Sequence, residues 1–180
     1  MVSTTLIAAM GINGVIGKDG ALPWRIPSES RHFKEATLGH VCIIGRVSYE
    51  TLKCPLFGRD QVVLTKNQEY ADRYAAGDLP RNVYPAKNMD VALNLASSLS
   101  AARQKTKIMI IGGACVYKEC LPSAKEIILT VVHSTPAGDR FFPQMNQKEW
   151  SLYSCKTFEA VGTDECGYSV LVLKRTYRFG

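Results

Sequence analysis

No run in this 180-residue chain approaches the ~20 consecutive apolar residues that a bilayer-crossing helix requires. The opening MVSTTLIAAMG has neither a basic start nor a long apolar centre, so a first strand is expected there and a signal peptide is not. None of the six cysteines forms a C-x-x-C pair, and His32, His40 and His133 show no ligand spacing, so no metal site is expected. The chain is too large to need disulfide staples. Several cysteines sit in apolar runs, where a free thiol acts as a small hydrophobe, which points to a reducing cytoplasm. The net charge is +6, yet the cations are scattered, with no Lys/Arg run and no basic helix. Charge alone leaves nucleic acid and an anionic small molecule equally open as partners. There is no internal repeat and no low-complexity segment.

What is present is ordinary globular usage, 46% apolar and 21% charged, at a length that fits a single domain over residues 1–180. Short apolar runs at 6–10, 41–44, 61–65, 108–111 and 126–132 read as strands buried on both faces. Between them lie helical stretches at 27–38, from Ser48 onward, at 90–102 and at 114–120. Over 90–102 the apolar spacing of Val91, Leu95 and Leu99 marks the inward face. Residues 68–79 read as a weak helix or surface loop, and Val83 with Tyr84 as a short strand. Alternating strands and helices predict an α/β fold with a mainly parallel sheet, closed by an antiparallel hairpin from 150–160 and 167–177. No exposed apolar helix stripe stands out, so a monomer is expected.

The most informative stretch is 20–34, GALPWRIPSESRHFK. Pro23 forbids helix at Leu22, whereas Pro27 suits the first turn of one. Glu29 then shares a helix face with Phe33, among Trp24 and Ile26. A carboxylate held against apolar walls is costly to ionise, so it can hold or relay a proton near neutral pH. Read in isolation, the segment favours the other reading, Glu29 as a solvated first-turn acid serving the helix dipole, and the rest of the chain tips the balance. Four glycines between 11 and 20 make the preceding loop a plausible flap. Gly45-Arg46 at a strand end, with Ser48 opening a helix, is a natural anion seat. Gly112-Gly113 at the end of another strand allows close backbone approach to a ligand, although the full G-x-G-x-x-G fingerprint is absent.

Taken in order, IAAM-G-I-N-G-VIG, LPW with an acid and F-K, GR-x-S-Y-E, PL-x-GR, VVLT-K, MIIGG-x-x-VY, ILT and GD-x-FFP resemble the dihydrofolate reductase family across residues 6–177. The resemblance implies a sheet of about eight strands with helices on both faces. It implies reduction of 7,8-dihydrofolate to tetrahydrofolate by NADPH, with hydride reaching C6 and a proton N5, and antifolates such as methotrexate and trimethoprim as possible ligands. Glu29 would be the active-site acid, gripping the pterin N3 and 2-amino edge. Thr130 would hold its rotamer, Trp24 would hold an ordered water, and Tyr117 would lie beside the reacting carbon. Ile7, Ser30, Phe33, Leu52, Leu56 and Ile111 would wall the substrate, and Arg59 would pair with its glutamate α-carboxylate. On the cofactor side, Ala9 and Ile16 would meet the carboxamide and Arg46 and Lys66 the 2′-phosphate. Ser48, Gly113, Ala114 and Val116 would cradle the pyrophosphate. Gly45, Val47, Leu64, Thr65, Ile111, Gly112, Cys115 and Tyr117 complete that seat. The Gly112–Gly113 bond is expected to be cis.

Three positions depart from the family pattern. Ser30 replaces an apolar residue beside the substrate ring, Cys115 stands where an arginine often helps the pyrophosphate, and Arg25 adds charge to the flap. A same-fold reductase of riboflavin synthesis would share the cofactor residues but lack the LPW-to-Glu29 stretch and Arg59. A basic nucleic-acid binder would need clustered cations with stacking aromatics, which the sequence does not carry.

Overall fold

The computed structural model describes residues 2–52 and 55–176. Cys54 and Tyr177, both read above from sequence, lie outside the described residues. The strands are β1 Ser3–Gly11, β2 Val15–Gly17, β3 Val41–Gly45, β4 Asp60–Leu64, β5 Val83–Ala86, β6 Lys107–Ile110, β7 Glu126–Val132, β8 Arg140–Phe141, β9 Trp150–Phe158 and β10 Tyr168–Arg175. The helices are α1 Pro27–Thr37, α2 Arg46–Glu50, α3 Gln68–Ala75, α4 Met89–Ala102 and α5 Ala114–Cys120, with a 3-10 turn at Gln147–Glu149. Eight strands form one sheet in the order β5-β4-β3-β6-β1-β7-β10-β9. Pairing is parallel from β5 through β7, and antiparallel from β7 to β10 and from β10 to β9.

The topology decides where a ligand can sit. From β1 the chain crosses by α1 to β3 on one side; from β6 it crosses by α5 to β7 on the other. Right-handed crossovers running in opposite directions place their helices on opposite faces. The packing agrees: Phe33 and Ala36 of α1 lie against Ile7, Cys42 and Met109. Ala92 and Ala96 of α4 and Val116 and Cys120 of α5 lie with Leu6, Ile43 and Ile110. The carboxyl ends of β1, β3 and β6 therefore open a crevice between helices that leave in different directions, the usual ligand position in open α/β sheets.

Four details differ from the sequence reading. The glycine-rich segment 11–20 is not all loop, because β2 within it pairs antiparallel with β8. Helix α2 begins at Arg46, two residues before the Ser48 opening read from sequence, while residues 68–75 take the helical one of their two expected alternatives, started by Asn67, whose side chain accepts from the Glu69 N–H. β5 extends to Ala86 through Pro85. That strand is the sheet edge, where Thr65 N–H donates to Ala86 O, so the alternate residue Pro85 turns outward and its missing N–H breaks no ladder bond. Finally, the buried positions of α4 are Met89, Ala92, Ala96 and Ser100, while Val91 is 37% exposed and Leu95 and Leu99 are half-buried. Small residues bring the helix close to the sheet, and the leucines cover its flanks.

Candidate active site

Helix α1 delivers Glu29. Pro27 occupies its first turn, Ile26 supplies no capping side chain, and Ser30 N–H closes the first bond to Ile26 O at 3.1 Å. Glu29 is only 6% exposed and makes no ion pair among the described residues. Burial raises its carboxyl above the ordinary value of 4.5, and a hydrogen bond from Thr130 on β7 opposes part of that rise. Tyr117 comes from α5, on the other face of the sheet. Its hydroxyl donates to Ile7 O at 2.7 Å and is kept neutral, first by burial and then by the negative field of Glu29. Trp24 is buried, and its indole Nε1 finds no acceptor among the described residues.

Phe33 and Ile111 pack against the cluster that contains Ile7, and Ile111 and Leu52 both pack against the cluster of Ile44, Val63, Tyr70 and Val83. Leu56 is held by two amide side chains: its N–H donates to Gln61 Oε1 at 3.0 Å, and its carbonyl accepts from Asn82 Nδ2 at 3.3 Å. Asn82 Nδ2 also donates to Arg59 O at 2.9 Å. Arg59 is not the surface arginine that a loop position suggests. It is 5% exposed, with Nη1 donating to Thr37 Oγ1 at 2.8 Å and Nε to Phe57 O at 3.2 Å. No carboxylate pairs with it among the described residues, and desolvation lowers its pKa. Ser30 is exposed, its hydroxyl spent on the Ile26 carbonyl at 3.3 Å.

The other half of the crevice is built from backbone. The Gly112–Gly113 bond is cis, as the sequence led us to expect. Gly45 N–H donates to Gly112 O at 2.8 Å, tying the β3 end to the β6 end. A Cβ on Gly113 would stand 2.5 Å from Ser48 Oγ, and one on Gly45 would stand 3.1 Å from Val116 Cγ2. This cradle has space for backbone only, as a phosphate seat between a strand end and a helix start requires. Ala114 and Cys115 open α5 beside it, Cys115 exposed and Val116 buried. Val47 is exposed, Leu64 half-buried. Ala9 packs beside Trp24, and Ile16 rests on the main core.

The cations stand further along the strand ends. Lys66 and Thr65 line a groove of about 250 Å³ between β4 and β5, and Lys87 lines it too. Sequence reading missed Lys87 because it ended β5 too early; a strand carried to Ala86 puts this lysine at the strand exit, as Lys66 is for β4. Arg46 is not free. Its Nη1 bonds Glu50 Oε2 at 2.7 Å, and Glu50 Oε1 accepts from Tyr70 OH at 3.2 Å. Among the described residues no group of three or more His, Cys, Asp or Glu could hold a metal ion.

Residues 3–175 match the dihydrofolate reductase family model. The chain belongs to the dihydrofolate reductase family. It is 32% identical over 171 residues to a type 3 dihydrofolate reductase of Salmonella typhimurium, covering 95% of this chain and 97% of that one. It is 34% identical over 159 residues to a type A13 dihydrofolate reductase of Escherichia coli, covering 88% of each. Among solved structures, a dihydrofolate reductase from Enterococcus faecalis complexed with NADP(H) and RAB-propyl superposes with a TM-score of 0.80 at 27% identity, covering 97% of both chains. These matches extend over 88–97% of each chain compared.

Proposed function

We propose that this dihydrofolate reductase performs its reaction, NADPH-dependent reduction of 7,8-dihydrofolate to tetrahydrofolate, with Glu29 as the acid. The observation that carries this reading is the Glu29 carboxyl, buried with no ion-pair partner among the described residues and raised in pKa, at the mouth of a parallel sheet. NADPH supplies the hydride when bound; the chain supplies position and field. Glu29 accepts hydrogen bonds from the pterin N3 and 2-amino group, and its raised proton affinity favours delivery of a proton to N5. Thr130 holds the carboxylate rotamer. Tyr117, fixed on Ile7 O, presents its ring to the positive charge that grows as hydride departs. Trp24 leaves its Nε1 free to orient a water near the acid.

Phe33, Leu52, Leu56, Ile7 and Ile111 wall the substrate, and Ser30 lies at its rim. Arg59, buried with no acid beside it among the described residues, is ready for the glutamate α-carboxylate; the anion would satisfy donors that Thr37 and Phe57 leave over. The residues of the glycine cradle fit a dinucleotide: Gly45, Gly112, Gly113, Ala114, Cys115 and Val116 take the pyrophosphate with Ser48, and Ala9 and Ile16 take the carboxamide. Leu64, Thr65, Lys66, Val47 and Arg46 take the adenosine end, where Arg46 must exchange Glu50 for phosphate. Antifolates that mimic the pterin edge bind at the same acid. The enzyme acts as a monomeric single domain in the cytoplasm, with buried Cys42 and Cys120 kept as thiols whose pKa values burial pushes up to about 12.

The test is loss of NADPH absorbance on adding dihydrofolate, in wild type and in Glu29→Gln. Turnover in the wild type, and its loss in a folded Glu29→Gln, is the expected result. A Glu29→Gln enzyme with normal turnover at neutral pH would remove the acid from its role.

A further inference from the structure

The loop between β9 and β10 reaches back to the first turn of α1 and grips it. Asp164 Oδ1 accepts from Ser28 N–H at 3.1 Å, and Oδ2 accepts from Ser28 Oγ at 2.6 Å. Oδ2 also accepts from Val161 N–H at 3.2 Å, which fixes the carboxylate within its own loop. The neighbouring Glu165 closes a second pair of bonds: Arg25 N–H donates to Glu165 Oε2 at 3.0 Å, and Glu165 N–H donates to Arg25 O at 3.1 Å. The two acids thus bracket Ile26 and Pro27.

This grip fills a gap in the helix. The first turn of any α-helix has N–H groups without intrahelical partners. Here Pro27 has none to offer and Ile26 cannot cap, so Ser28 is the first residue whose N–H needs an acceptor. A carboxylate placed 136 residues away in sequence supplies it. Its negative charge also suits the positive end of the helix. Glu29 is the next residue, so whatever fixes the φ/ψ of Ser28 fixes the direction in which the acid leaves the helix.

We propose that Asp164 is a positioning residue for Glu29, acting through Ser28. The proposal rests on Glu29 being the acid of the reaction. The hydrogen bonds from Ser28, then that from Val161 N–H and last the positive field of Arg31, which Asp164 also faces, hold the Asp164 carboxyl below the usual range. The groups facing Glu29 are the Thr130 hydroxyl from β7 and the Tyr117 hydroxyl from α5. Releasing the clamp lets the first turn fray, admits water to the acid and weakens the desolvation that raises its pKa.

The experiment compares Asp164→Ala, Asp164→Asn, Ser28→Ala, the Asp164→Ala/Ser28→Ala double variant and Glu29→Gln in the full chain. Asp164→Ala is expected to lower kcat/KM for dihydrofolate roughly 10-fold, the scale of a sub-ångström misplacement. NADPH Kd should stay within about two-fold, and the pH midpoint of the hydride step should move down toward the ordinary carboxyl range. Asp164→Asn keeps one oxygen for Ser28 N–H and should fall between; it carries the test if the alanine variant does not fold. The double variant should lose less than about two-fold beyond Asp164→Ala, because both changes release one contact. An unmoved pH midpoint, equal losses toward both substrates, or full additivity with Ser28→Ala would overturn the proposal. Glu29→Gln separates the two readings: if it keeps turnover, the acid assignment fails. If it is inactive while Asp164→Ala keeps the wild-type pH profile, only the clamp fails.

Discussion

The α1 side of the crevice and the β3–β4–β5 side handle charge in opposite ways. On the α1 side, Glu29 and Arg59 are buried and have no ionic partner among the described residues. On the other side Lys66 and Lys87 are solvent-facing, and Arg46, half-buried, already holds Glu50. A buried unpaired charge is destabilising, so on the reading proposed above the first side gives up folding stability for selectivity. An exposed cation costs little to display and gives little when paired, so the second side relies on a backbone cradle for shape and on several weak contacts for affinity. Loss of one group should therefore be severe on the first side and graded on the second.

The largest expected effect is at the acid. Glu29→Gln should cut turnover at neutral pH by about 10²- to 10⁴-fold, measured by NADPH absorbance. It should also alter the pH dependence of stability. Because the folded pKa of Glu29 is raised, the native state keeps a proton that the unfolded chain releases above 4.5. That contribution to stability is present below 4.5 and is lost as pH rises through the folded value. Chemical denaturation across this window should show the wild type losing stability relative to Glu29→Gln as pH increases; parallel curves would break the claim that burial sets the acid.

Next in size is Gly113→Ala. Its Cβ would collide with Ser48 Oγ, and we expect NADPH affinity to fall by roughly 10- to 100-fold in fluorescence titration, the scale of a displaced phosphate contact. A tight-binding Gly113→Ala enzyme would show that the cradle is not formed by close approach. Third, Thr37→Val leaves the Arg59 guanidinium short of one acceptor and should raise KM for dihydrofolate about 5- to 10-fold with kcat nearly unchanged.

The smallest effects belong to the cations of the second side. Arg46→Ala and Lys66→Ala should each weaken NADPH by about 3- to 10-fold while hardly changing NADH, and the losses should shrink at high salt. Glu50→Ala should do the reverse, freeing Arg46 and tightening NADPH about two-fold at low salt. If Glu50→Ala weakens NADPH instead, the Arg46–Glu50 pair positions the arginine for phosphate instead of competing with it.

Much of this was legible beforehand because it follows from local chemistry. Glu29 among Trp24, Ile26 and Phe33 announces a half-apolar setting, and the strand-ending glycines at 45, 112 and 113 announce close backbone approach. What escaped the sequence depends on tertiary partners. The Arg46–Glu50 pair escaped because the sequence reading opens that helix at Ser48 and leaves Arg46 outside it, whereas α2 begins at Arg46 and makes the two i, i+4. The inward face of α4 was misread because leucine is more apolar than alanine, while the sheet selects for close approach. Asp164 was invisible as a partner of Ser28 across 136 positions, because a carboxylate in a hairpin loop reads as solvent-facing until the fold brings it to a helix that lacks its own cap.

The proline in β5 has a bearing on how this protein behaves in concentrated solution. A sheet border normally invites a stray strand to zip onto it, each amide proton meeting a foreign carbonyl. At this border the outward nitrogen of Pro85 is alkylated and has no proton to offer, so an incoming chain finds its ladder interrupted after one rung. The opposite border, at β9, carries no proline and displays Leu152 and Tyr153 to solvent. Self-association during refolding should therefore start at the C-terminal hairpin and spare the β5 border.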